Sequence, residues 1–115
     1  MIRKTDEKII IENPHGGVGR IQIYKVLNAG DNVGNISLFA KVIINAHTTI
    51  GYHQHIGEAE AYYVLKGEGF FLNNKKERVP VKAGDLCLIE VGESHGMENP
   101  NENEMEIIAL VYPEK

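Results

Sequence analysis

One cysteine, Cys87, stands in the whole chain, so no disulfide forms within it. A lone thiol without an export signal leads us to expect a cytoplasmic protein. Long apolar runs are missing as well. The longest, Ile107 to Tyr112, is far short of the roughly 20 residues a membrane-spanning helix needs, so no membrane partner is expected. The first residues carry charges of both signs before Ile9, Ile10 and Ile11, which is no signal-peptide core. Basic runs are also missing. Twelve Lys and Arg face 16 Asp and Glu, for a net charge of −4, and nucleic acid is not an expected partner. The densest charged stretch, Lys75-Lys76-Glu77-Arg78, reads as a solvated hairpin tip. No segment keeps a helical period, and no repeat, linker or low-complexity stretch marks a second domain.

What remains is a chain of 115 residues, enough for one hydrophobic core. Short runs rich in Ile, Val, Tyr and Phe alternate with Gly, Asn and Pro, the mark of an all-β domain. The reading places strands at Arg20 to Leu27, Ile36 to Asn45, Ala61 to Lys66, Phe70 to Asn73, Val79 to Val81, Leu86 to Glu90, His95 to Asn99 and Met105 to Tyr112. Loops fall at 13–19 and 28–34. The last strand is apolar on both faces, so it is expected to be central and covered on both sides. About ten strands at this spacing imply a sandwich or barrel of jelly-roll type.

One stretch, Gly51 to Glu60, holds His53, His55, Glu58 and Glu60. Residues two apart share a face only on a strand, so His53 and His55 work together only there. Glu60 has the opposite parity. The segment Ile56 to Ala59 is therefore expected to turn, with Glu60 facing His55 across a hairpin, and Gly57 permits this. Neutral imidazole and carboxylate are common ligands of divalent transition metals. A His-x-His alone equally suits two surface histidines.

A second stretch, Gly84 to Asn99, adds His95. Together the two resemble the paired motifs of the cupin superfamily. Of G-x5-H-x-H-x4-E-x6-G, the chain matches His53, His55, Glu60 and Gly67, with His47 at the opening glycine. Of G-x5-P-x-G-x2-H-x3-N, it matches Gly84, Gly92, His95 and Asn99, with Glu90 at the proline. Both departures fall on turn positions and neither falls on a ligand.

The resemblance implies an all-β, double-stranded β-helix or jelly-roll barrel over residues 1–115, with strands in 1–35 flanking a barrel core of about 36–112. It implies that His53, His55, Glu60 and His95 bind one divalent transition metal ion: Mn, Fe, Ni, Co or Zn. Glu58 is the rival carboxylate, and Asn99 is expected to support a turn. Four protein ligands leave two of six positions open for a small-molecule ligand. A metalloenzyme acting on a small oxygen-rich carboxylate or sugar derivative is one expectation, and a non-catalytic binding module the other. No general acid or base is assigned, Glu58 being the best candidate. Binding is expected to weaken below about pH 6, since imidazole must be neutral to ligate. Tyr62 shares parity with Glu60 and either lines the barrel or packs in the core. Lys41 either points inward to meet a carboxylate or lies at a sheet edge. His15, Arg20 and Tyr24 are left between the barrel mouth and a partner subunit. A homodimer is expected, built through the strands at Ile9 to Ile11 and Arg20 to Leu27.

Overall fold

Ten β-strands and one 3₁₀ turn make up the regular structure of the described residues. The computed structural model describes residues 2–4, 8–28, 30–31 and 33–114. The strands are β1 (Lys8–Glu12), β2 (Arg20–Lys25), β3 (Leu38–Ile44), β4 (Thr48–Gln54), β5 (Glu58–Lys66), β6 (Glu68–Leu72), β7 (Arg78–Lys82), β8 (Leu86–Ile89), β9 (Ser94–Asn99) and β10 (Met105–Pro113). The 3₁₀ turn, Pro14–Gly16, lies between β1 and β2.

The strands form two antiparallel sheets. One has six strands in the order β1-β2-β3-β10-β5-β8, and the other four in the order β4-β9-β6-β7. From β3 onward the chain passes from one sheet to the other at nearly every connection. This is the jelly-roll, or double-stranded β-helix, arrangement. The corners need sharp backbone. Gly67, Gly84 and Gly92 turn at φ 86°, 98° and 85°, a region open to glycine at little cost. His47, which stands where the motif has glycine, adopts the same left-handed region at φ 54°. Glu90, in place of proline, keeps an N–H that donates to Glu93 Oε1 at 2.8 Å.

Alternation decides the core. Ala40, Val42 and Ile44 on β3 and Met105, Ile107 and Ala109 on β10 face Ile50, Phe71 and Met97 of the other sheet, all buried. Each large side chain removed from water here contributes about 1.5–3 kcal/mol. Cys87 packs in the same interior, and burial pushes its thiol up to about 11.

Three expectations need correction. The strand β10 is central, between β3 and β5, but only one of its faces is buried. Ile108 and Leu110 on the other face are half-exposed. Lys41 takes neither of its two expected places: the inward positions of β3 belong to Ala40 and Val42, and β3 lies between β2 and β10 and not at a sheet edge. Lys41 lies on the outer face with its Nζ 5.1 Å from the centre of the Tyr24 ring. His55 and Glu60 are not partners across a hairpin either, since β4 and β5 belong to different sheets. The chain turns at Gly57 (φ 73°) from one sheet to the other. Glu58, expected inside the turn, already begins β5.

Candidate metal centre

Strand parity puts His53 and His55 on one face but does not say which face. Thr48 and Ile50 are buried, so an unbroken β4 would turn Tyr52 inward and His53 outward. The pairing of β4 with β9 is irregular between Ile50 and His53: Ile50 opposes Met97, whereas His53 opposes His95. The extra residue is a β-bulge, a device that re-aims side chains. It sends the Tyr52 hydroxyl to donate to the Asn73 carbonyl at 3.0 Å and brings His53 and His55 to the interior. There they meet His95 of β9 and Glu60 of β5.

All four sequence-expected residues come together. Ligating nitrogens of His53, His55 and His95 lie within 4.8 Å of one another. The His55 and His95 Nε2 atoms are 2.8 Å apart. Glu60 Oε1 lies 3.0 Å from His55 Nε2 and 3.3 Å from His95 Nε2. Exposure is 7% for His55 and Glu60 and 0% for His95, so these polar groups sit where an uncompensated charge is costly. Two of the other ring nitrogens are held from behind, while His95 Nδ1 is buried without a hydrogen-bond partner. His53 Nδ1–H donates to the Gly51 carbonyl at 2.7 Å, and His55 Nδ1–H to Glu58 Oε1 at 3.1 Å. Such partners fix the tautomer that leaves Nε2 bare for a metal. Glu58, the rival carboxylate, thus supports His55 from behind. Buried Tyr62 sets its ring edge 5.2 Å, between centroids, from His95. Burial, then the charge of Glu60, holds its phenol well above the ordinary range.

Three of the four candidate donors, His55, His95 and Glu60, are spaced as donors on one ion would be. Two donors at right angles on one ion, with bonds of ~2.1 Å, lie about 3.0 Å apart, against about 3.4 Å at the tetrahedral angle. The separations of 2.8, 3.0 and 3.3 Å match the first value better. Three imidazoles and a carboxylate are also the borderline donors that Mn, Fe, Co, Ni and Zn accept.

Burial pushes the His53 imidazole down from 6.5 to about 4, with neighbouring histidines adding to the fall and the Gly51 carbonyl opposing it. At His53 this moves the proton competition expected near pH 6 to lower pH. A stability effect follows. Between pH 6.5 and 4 the unfolded chain carries a proton on His53 that the fold does not, so stability rises with pH across this window. The metal-free protein should melt at a lower temperature at pH 4.5 than at pH 7, and an identical midpoint at both would contradict the depressed imidazole.

Sequence reasoning left His15 unassigned. Its ring stacks on His53, with centroids 3.5 Å apart and planes within 8°. The glycines flanking the contact, Gly17 and Gly51, were the available signal. Arg20 instead pairs with Glu12 at 2.7 Å.

A family model for the cupin domain matches residues 40–111. The chain belongs to the cupin family. This cupin is 39% identical over 101 residues to the oxalate-binding protein of Thermotoga maritima, a match covering 88% of this chain and 83% of the relative. Its structure is similar to the crystal structure of a predicted oxalate decarboxylase from Thermotoga maritima, with a TM-score of 0.89 and 35% identity over 98% of this chain and 99% of that one. A cupin 2 conserved barrel domain protein from Salinispora arenicola gives a TM-score of 0.76 at 18% identity, over 97% and 87% of the two chains. That second likeness speaks to the fold alone. Among the described residues of this cupin, no helix is long and apolar enough to cross a membrane.

Proposed function

We propose that His53, His55, Glu60 and His95 hold one divalent transition metal ion, and that the centre binds a small dicarboxylate of the oxalate type. The observation that carries this reading is the convergence of two imidazole Nε2 atoms and one carboxylate oxygen at 2.8–3.3 Å in a buried site. Four protein donors leave two of six positions open, which suits a chelating pair of carboxylate oxygens. The ion would supply Lewis acidity and charge neutralisation for that ligand. The oxalate-binding name of the Thermotoga relative supports the ligand class.

Binding fits the residues better than turnover does. Cleaving a dicarboxylate needs a group that delivers a proton. Glu58 is engaged by His55, and the Tyr62 phenol is held protonated by burial beside Glu60. Calorimetric titration tests the reading. Metal-loaded protein should take up one oxalate and metal-free protein none, with longer dicarboxylates weaker. Equal uptake by both forms would defeat it. Release of formate or CO2 would replace binding by catalysis as the function.

A second copy of this chain is the partner we propose for the outer face of the six-stranded sheet. Tyr63 and Leu65 on β5 and Leu86 and Leu88 on β8 are exposed there, beside half-exposed Ile108 and Leu110. Exposed apolar side chains gathered on one sheet face support an interface there. The strands β1 and β2 extend the same sheet. The native protein should show a dimeric mass by light scattering, and Leu88→Glu should shift it to monomer. A monomeric native mass at micromolar concentration would refute the pairing.

A further inference from the structure

We infer that His15 is a positioning residue of this centre, whose ring lies flat on His53 and fixes the plane in which that imidazole meets the ion. The inference rests on the reading of His53 as a ligand. His55 and His95 are buried by the barrel itself, whereas His53 is only half-buried. One hydrogen bond, from Nδ1 to the Gly51 carbonyl, sets the direction of the His53 ring but leaves its tilt open. The stacked His15 ring, 3.5 Å away and 8° from parallel, sets the tilt.

The chain accepts local cost to deliver that ring. Asn13 and His15 both adopt left-handed backbone, at φ 49° and 50°, which costs of order 1 kcal/mol or more for a residue with a Cβ. The turn is tied down by Asn13 N–H donating to the Gly19 carbonyl at 2.8 Å. Two further bonds, at 3.1 and 2.7 Å, join Val18 to Thr49 of β4. This approach leaves no room for side chains at the contact. A Cβ on Gly17 would sit 1.8 Å from the Thr49 carbonyl oxygen, and one on Gly51 would sit 2.0 Å from the His15 carbonyl oxygen. Two glycines thus seat the turn against the strand that carries His53. The His15 ring meets His53 face to face, so it is assigned a supporting place and not that of a fifth ligand.

Three variants test the assignment, with metal affinity read by chelator competition and geometry by the visible spectrum of the cobalt-loaded protein. His15→Ala should weaken metal binding about 10-fold and alter the spectrum, the lower end of what supporting residues contribute. His15→Phe keeps a flat ring and should stay within roughly twofold of the native protein. Gly17→Ala keeps His15 but pushes the turn off β4, and should resemble His15→Ala. The metal-free melting temperature separates loss of the site from loss of the fold. Native affinity in His15→Ala would overturn the inference, as would a His15→Phe as weak as His15→Ala. If the double variant His53→Ala, His95→Ala kept its metal, the centre itself would have been misread. With that control metal-free, a tight His15→Ala removes only the role of His15.

Discussion

Replacing His53 and His95 together with alanine is expected to take bound transition metal from about one equivalent to background in elemental analysis of the purified protein. Nitrogens of both histidines lie within 4.8 Å of each other and of His55, and Glu60 Oε1 lies 3.0 Å from His55 Nε2 and 3.3 Å from His95 Nε2. Changes to residues that only orient ligands already cost 10–100-fold in affinity, about 1.4–2.8 kcal/mol. On the proposed reading, removing two of four donors costs far more, and a two-donor remnant competes poorly with buffer. Thermal stability gives an independent readout. Free metal at 100 times the dissociation constant adds about 2.7 kcal/mol to a fold that binds it. The native protein should gain several degrees on adding metal, and the variant none. His95 is fully buried, so its truncation also opens a cavity. The pair His53→Gln, His95→Gln limits that loss of volume and should show the same loss of metal. One equivalent of metal retained by either pair would show that the ion lies elsewhere.

The residues of this centre were legible because the information is local. Spacing drew attention to His53 and His55, the resemblance to the paired cupin motifs added Glu60 and His95, and the glycines at 67, 84 and 92 stand where the backbone needs positive φ. What was not legible is non-local. Parity states which side chains share a face, but the choice of face depended on a bulge at Gly51–Tyr52 that only the register with β9 defines. The apparent hairpin from His55 to Glu60 has the right turn and the wrong partner strands. Sheet membership is set by what β4 and β5 pair with across the fold, β9 in one case and β10 and β8 in the other. Lys41 lay between Phe39 and Ile43, and an apolar outer face is indistinguishable from an apolar core in a sequence pattern. The left-handed His47 was readable in principle, since it occupies a glycine position of the motif and histidine tolerates that region better than most residues.

Asn99 carries the largest expected effect on stability. The motif asks for asparagine here, and the resemblance pointed to a turn rather than the metal. The side chain is completely buried. Its amide nitrogen donates to the carbonyls of Ile44, Asn45 and Asn103 at 3.1, 3.0 and 2.9 Å. Its Oδ1 accepts from the Asn101 N–H at 3.2 Å. One side chain thereby joins the end of β3, the approach to β4 and the turn before β10. Asn99→Ala strips these backbone groups of their partner, and each buried group left unpaired costs about 1–3 kcal/mol. Allowing for relaxation, a loss of about 3–4 kcal/mol is expected. That corresponds to a drop of roughly 10–20 °C in the melting temperature for a chain of this size. Asn99→Asp conserves shape yet sets an oxygen against three carbonyls, so it should be no milder at neutral pH. Its carboxyl, buried among acceptors, will be held protonated above the ordinary range. The unfolded carboxyl ionises at lower pH than the folded one, so the deficit should grow as pH rises from 4 to 8. His95 lies four residues back along β9, about 13 Å at strand rise, so metal affinity of the folded fraction should be unchanged. A loss under about 1 kcal/mol in Asn99→Ala would mean that water replaces the amide, and that these turns hold without it.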